Sequence, residues 1–309
     1  MNTKLVFLII LITILLGAGL FFPYQTYRKH QDIAKEKYLK EQLLLKERKE
    51  EWLRLKKILG NKVTNFKGTV GIVVKDLDTG WEITFNENTL IPSASLVKVP
   101  VMLSCFYAAQ DGKITLKDTT KLKSSEKVSG SKVLGGKPTG SVFTVEELFD
   151  PMITQSDNTA ANILIDFLGF DTLNAYFKKM GLKNTNIVRR MMDFKERKKG
   201  EENYTTAQDM AYLLEELYHK KFLNKDVSGK CLELLGKQKI NDRLPKGTYV
   251  VHKTGLENYI CHDVGIVFTD KGDFLICVLA KHKDKLAKSS KELIADITLL
   301  TYNYYQNRN

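Results

Sequence analysis

Strand-like runs stand at both ends of this chain and a long helix-forming stretch lies between them, an order that leaves few ways to fold. Gly68 to Asp76, rich in Val and Ile, and Trp81 to Asn86 flank the turn signal Leu77-Asp78-Thr79-Gly80 and read as a hairpin. Three further runs, Thr248 to Lys253, Cys261 to Thr269 and Phe274 to Ala280, come only near the C-terminus. From Ser95 to about Tyr218 the pattern is helical, clearest over Val145 to Phe167, Asp171 to Met180 and Asp209 to Lys220. A closing amphipathic helix is expected from about Leu286 to Tyr305. Both termini must then contribute strands to one sheet, which predicts an α/β fold with an all-α subdomain inserted into it.

Composition narrows the function classes. With 309 residues, 43% of them hydrophobic, the chain can bury a full core, and 20 Gly and 6 Pro exclude a fibrous protein. The net charge of +12 suits an anionic polymer or surface, but the excess is spread along the chain, so no nucleic-acid partner is expected. Cys105, Cys231, Cys261 and Cys277 lack Cys-x-x-Cys spacing and the five His make no His-x-x-x-His pair. No metal and no cofactor are therefore expected, and buried free thiols are the default.

Leu5 to Phe22 is an uncharged apolar run of 18 residues, followed by Tyr24, Tyr27, Arg28 and Lys29. That length is just enough to span a bilayer, so residues 1–27 read as a single-pass membrane anchor or a cleaved signal segment. Arg28 to Leu59 is helix-forming and mixed in charge, with Gly60 expected to end the helix. We therefore expect a charged helical linker over 28–45 and a catalytic domain over 46–309. Its α/β part would take 46–90 and 240–309, and its helical part 91–239.

The chemistry concentrates at Pro92-Ser93-Ala94-Ser95-Leu96-Val97-Lys98. Residues three apart share a helix face, so the Lys98 amine can meet the Ser95 hydroxyl and, when neutral, take its proton. A helix start there would add backbone N–H groups and a positive dipole end for an oxyanion. Ser-x-x-Lys also occurs at Ser124 to Lys127 and Ser129 to Lys132, but in a polar loop with no apolar helix after it. Ser156-Asp157-Asn158 and Lys253-Thr254-Gly255 each occur once, inside a helical pattern and at a strand end. With these three motifs in this order, and with Thr154 to Asn162 and Lys178-Lys179-Met180-Gly181, the chain resembles the class A β-lactamases among the penicillin-recognising serine hydrolases, over roughly residues 46 to 305.

That resemblance implies a β-lactamase/transpeptidase-like fold: a five-stranded antiparallel sheet with terminal helices on one face and a helical subdomain against the other. It also implies Ser95 as nucleophile, Lys98 as its base, and Ser156 with Lys253 as the proton path to the leaving nitrogen. Asn158, Thr254, Gly255 and Leu256 would bind substrate, with the Ser95 and Leu256 N–H groups forming the oxyanion hole. Asp157 reads as structural. In the family a loop Glu activates the deacylating water; here that position falls at Met191 or Met192, and Asp193 is the nearest carboxylate. Two enzyme readings follow, a β-lactamase-like hydrolase with slow turnover and a membrane-anchored D,D-peptidase acting on peptidoglycan stem peptides. A non-enzymatic polyanion binder would not need Ser95, Lys98, Ser156 and Lys253 together. The enzyme is expected as a monomer on the extracytoplasmic side of the membrane.

Overall fold

The computed structural model describes residues 3–239 and 248–308, excluding the side chains of 15–23. Contacts divide the chain into two compact units, Met1–Arg54 with Arg308–Asn309, and Leu55–Asn307. In chain order the elements are α1 (Thr3–Asn65), β1 (Gly68–Asp76), β2 (Glu82–Phe85), β3 (Ile91–Pro92), α2 (Lys98–Gln110), β4 (Thr119–Lys121) and β5 (Val142–Thr144). They continue with α3 (Phe149–Thr154), α4 (Asn158–Leu168), α5 (Phe170–Lys179), α6 (Phe194–Lys198), β6 (Tyr204–Thr205), α7 (Ala207–Tyr218), α8 (Lys225–Gly236), β7 (Tyr249–Glu257), β8 (Ile260–Phe268), β9 (Phe274–His282) and α9 (Lys288–Gln306).

The main sheet runs β2-β1-β9-β8-β7, antiparallel throughout, so the N-terminal hairpin joins the C-terminal strands at the β1–β9 ladder. Burial on both faces explains why these strands read as continuous apolar runs rather than alternating ones. Val73, Leu275, Cys277 and Leu279 enter the core cluster shared with the helical subdomain. Their neighbours Ile72, Val74, Ile276 and Val278 are also buried, facing the other way, where Tyr305 of α9 stacks on Phe274 with ring centroids 4.6 Å apart.

Three expectations are corrected. Gly60 does not end the first helix, which continues to Asn65 and passes beside the Phe85 ring at ordinary contact distance. The helix expected over Val145 to Phe167 is broken at Gln155–Asp157, where Ser156 takes a left-handed φ of 56°. The strand after Thr248 runs on to Glu257, past the Lys-Thr-Gly motif. The linker expected over 28–45 is part of unbroken α1 and exposed throughout. Among the described residues no helix is long and apolar enough to cross a membrane. The run Leu5 to Phe22 that raised that expectation lies partly outside the described side chains; its described part, Leu5 to Ile14, carries exposed Leu5, Phe7, Ile9 and Leu11.

Candidate active site

Ser95 sits in a single 3-10 turn, Ala94–Val97, that leads directly into α2. Ala94 enters the turn with φ 46°, and Leu96 and Val97 are fully buried, so the turn is held from inside while Ser95 faces out. Two contacts fix the chain ahead of it. Pro92 O accepts from His262 Nε2 (2.8 Å), whose Nδ1 accepts from Ala280 N–H (3.2 Å), a pattern that requires a neutral ring. Ser93 N–H donates to Asn203 O at 2.7 Å. Gly255 lets β7 pass close by, since a Cβ there would stand 2.9 Å from the His262 ring and 3.4 Å from Ala94 Cβ.

The Lys98 side chain is completely buried. Its Nζ lies 3.1 Å from Ser95 Oγ and donates to Ser156 O and Asn158 Oδ1, each at 2.6 Å, with Ser156 Oγ at 3.2 Å. Burial holds the Lys98 pKa well below the ordinary lysine value, and the Lys253 ammonium pushes it the same way, against the weaker pull of Asp157. Lys253 Nζ donates to Ser156 Oγ at 3.1 Å and to Thr254 O at 3.0 Å. The left-handed turn at Ser156 is what brings both its carbonyl and its hydroxyl to the two lysines.

The helix start behind Ser156 is fastened by Asp157, fully buried, which caps Ala160 N–H (3.0 Å) and accepts Val133 and Leu134 N–H at 2.9 and 3.0 Å. It serves as a structural anchor, as the sequence suggested. Asn158 lines the cleft beside Ser95, its Oδ1 accepting from Lys98 Nζ and its Nδ2 donating to Ser129 O at 3.0 Å.

Ser93, Ala94, Ser95, Asn158, Leu256 and Glu257 line a cleft of about 360 Å³, open solvent included, closed on its far side by Arg189, Met191, Met192 and Asn203. Met191 is buried and pinned to α4, its N–H donating to Asn162 Oδ1 (2.7 Å) and its carbonyl accepting from Asn162 Nδ2 (3.2 Å). Asp193 is not part of the cleft lining; it caps α6, with Oδ1 accepting Lys195 and Glu196 N–H at 3.1 Å each. Arg190 turns away to Asp166 at 2.7 Å, whereas Arg189 is buried against Glu202 at 2.6 Å. Arg197 then bridges Glu202 (2.9 Å) and Glu257 (3.0 Å), tying the loop to the end of β7.

The sequence model of the beta-lactamase enzyme family matches residues 54–305. The chain belongs to that family. It is similar to the beta-lactamase VEB-1 of Pseudomonas aeruginosa, at 22% identity over 77% of this chain and 86% of that protein. Among solved structures, the beta-lactamase from Sphaerobacter thermophilus superposes with TM-score 0.72 at 27% identity, covering 82% of this chain and 98% of that one. A mutant of PBP-A, solved as an acyl-enzyme complex with penicillin G, gives TM-score 0.75 at 25% identity over 82% and 97% of the two chains. This protein is thus a β-lactamase-like serine hydrolase, with the fold that its motifs implied.

Within the family frame the structure brings Ser95, Lys98, Ser156, Asn158 and Lys253 into one cluster beside Thr254, Gly255 and Leu256, and leaves Asp193 out. Sequence reasoning missed Arg189, Glu202, Arg197 and Glu257 as a connected group. Burial raises the Glu257 carboxyl pKa, opposed by Arg197 and Arg189 and reinforced by Glu202. The group's closure through Glu257 is a long-range pairing that no short stretch of sequence displays. All four cysteines are buried free thiols, and among the described residues no cluster of His, Cys, Asp and Glu could hold a metal.

Proposed function

We propose that the protein acylates itself on Ser95 with β-lactams and hydrolyses the resulting ester slowly. The observation that carries this reading is the buried Lys98 amine, 3.1 Å from Ser95 Oγ and held by two carbonyl-type acceptors at 2.6 Å. A neutral amine has two N–H groups and one lone pair. Ser156 O and Asn158 Oδ1 take the N–H groups, which leaves the lone pair for the Ser95 hydroxyl proton. Ser95 Oγ then attacks the lactam carbonyl carbon. The displaced nitrogen gains its proton through Ser156 Oγ, which touches both Lys98 and Lys253. Lys253 and Thr254 suit the carboxylate that penicillins carry, and the Ser95 and Leu256 N–H groups suit the oxyanion.

Slow release follows from the far wall of the cleft, where Met191 and Met192 offer no proton acceptor. Action on the extracytoplasmic side, with the apolar N-terminal run as export signal or tether, belongs to the same reading; the start of the mature chain, read by N-terminal sequencing, decides between the two. The test of the nucleophile is covalent labelling by a fluorescent penicillin. Ser95→Ala abolishes labelling, while Ser124→Ala and Ser129→Ala retain it; labelling that survives Ser95→Ala refutes the assignment. Release of D-alanine from a stem peptide at a rate matching acylation by penicillin would favour the peptidase reading instead.

A further inference from the structure

The hairpin of β7 and β8 turns at Asn258-Tyr259, where Tyr259 takes a left-handed φ of 69°, a conformation that costs a tyrosine what it would not cost a glycine. The side chain kept there is 43% exposed. Beside it lies the turn after β9, since Tyr259 N–H donates to Lys285 O (3.1 Å) and Tyr259 O accepts from His282 N–H (2.8 Å). In that turn Leu286 is 78% exposed. Its exposure is built in: Asp284 accepts Leu286 N–H (3.0 Å) and Lys288 N–H (2.6 Å), while Ala287, left-handed at φ 54°, is fully buried. Around these two apolar side chains the charge is of one sign. Lys67, Lys281 and Lys283 join Tyr259 and His282 in lining a hollow of about 740 Å³, open solvent included, and Lys285 and Lys288 flank Leu286; all five lysines are exposed. Asp284 is the one carboxylate between 281 and 288, and its oxygens are engaged by the turn.

We propose that this end of the sheet docks on an anionic lipid surface, with Tyr259 and Leu286 entering the headgroup layer and the lysines meeting lipid phosphates. The exposed leucine decides between a bilayer and a soluble phosphodiester polymer. A polymer would satisfy the lysines but leave Leu286 in water, whereas a bilayer removes it from water. Tyrosine suits the boundary, with an apolar ring and a polar hydroxyl, and lysine can lay its aliphatic stem along apolar surface while its ammonium reaches phosphate. Two side chains bury too little for irreversible insertion, so the docking is reversible and weakened by salt. The docking surface also neighbours the cleft. Lys281 pairs with Ile260 and Ile260 with Glu257, which puts the lysines two strands, roughly 10 Å, from Glu257 and Leu256 in the cleft wall. Docking therefore keeps Ser95 close to the bilayer.

The apolar run Leu5 to Phe22 can bring the full chain to a bilayer by itself, so the test reads the docking surface rather than binding. The four native cysteines are buried, so Leu286→Cys supplies an exposed thiol for a polarity-sensitive fluorophore. The control is Leu299→Cys, exposed on α9 about 16 Å beyond its first residue. Each full chain is mixed with phosphatidylcholine vesicles, with vesicles that also contain phosphatidylglycerol, and with a soluble glycerol-phosphate polymer. The expected result is a blue shift of the Leu286→Cys probe on the phosphatidylglycerol vesicles only. That shift is lost in molar salt and in Lys281→Gln combined with Lys283→Gln, and it is absent from Leu299→Cys. No shift, an equal shift on neutral vesicles, or an equal shift at both positions overturns the proposal. A shift with the polymer alone overturns it in favour of a soluble polyanion. Should Leu286→Cys not fold by circular dichroism, Asn258→Cys in the exposed hairpin turn carries the probe through the same comparison.

Discussion

Met191→Glu places a carboxylate on the loop side of the cleft, and the structure allows its effect to be worked out. Met191 is only 6% exposed and its backbone is clamped at both ends by Asn162, so a substituted side chain inherits a fixed origin beside Ser95. A well-placed general base is worth about 10²- to 10⁴-fold, which at ~1.36 kcal/mol per decade is about 2.7 to 5.4 kcal/mol of transition-state stabilisation. Burying the new carboxylate works against folding by more than the roughly 1–3 kcal/mol that an unpaired neutral polar group costs, since Arg189 in the same wall is already paired with Glu202. The expected result is an acyl-enzyme lifetime shortened by about 100-fold or more, with the acylation rate changed little and the thermal midpoint lowered. The assay is intact mass of the penicillin adduct from seconds to hours, with circular dichroism to confirm folding. A folded, normally acylating Met191→Glu whose adduct decays at the native rate would falsify the argument that the missing carboxylate limits turnover.

The other expectations concern the lysine pair and the core behind it. On the proposed reading neutral Lys98 is the base, and the Lys253 charge helps hold its pKa down, so Lys253→Ala moves the acid limb of the acylation profile to higher pH; an unmoved limb would show that burial alone sets it. Leu103→Ala, at a fully buried position of α2, destabilises the protein by about 2–5 kcal/mol in denaturant unfolding, and a loss below about 1 kcal/mol would show that the helix relaxes into the cavity.

How much of this was legible in the sequence depended on range. The sheet could be read because β1, β8 and β9 are short, predominantly apolar runs, and Ser95, Lys98, Ser156 and Lys253 could be named because each lies in a short motif. Periodicity misled where one residue overrode it. Val145 to Phe167 looks like one helix, yet the left-handed Ser156 interrupts it, and that break is what delivers Ser156 to the lysines. Gly60 looked like a terminator, yet one glycine is a weak stop signal and the helix, anchored by buried Leu55 and Leu59, runs through it to Asn65. Asp193 attracted attention by proximity in sequence, whereas its side chain is consumed in capping α6. Glu257 was passed over because its partners Arg197 and Arg189 lie some sixty residues upstream, brought to it only by the loop's return to the sheet.

The ladder between β1 and β9 also governs the order in which the molecule can be assembled. Gly68 pairs with His282 and Asp76 with Phe274, so a strand emitted early by the ribosome waits for one emitted about two hundred residues later. At about 5–20 residues per second that interval is roughly 10–40 s, during which β1 has only β2 beside it and an open edge on its other side. A two-stranded hairpin is marginal in water by itself. The nascent sheet therefore stays open until β9 is made, and whatever escorts the chain in that period meets an exposed strand edge rather than a closed sheet.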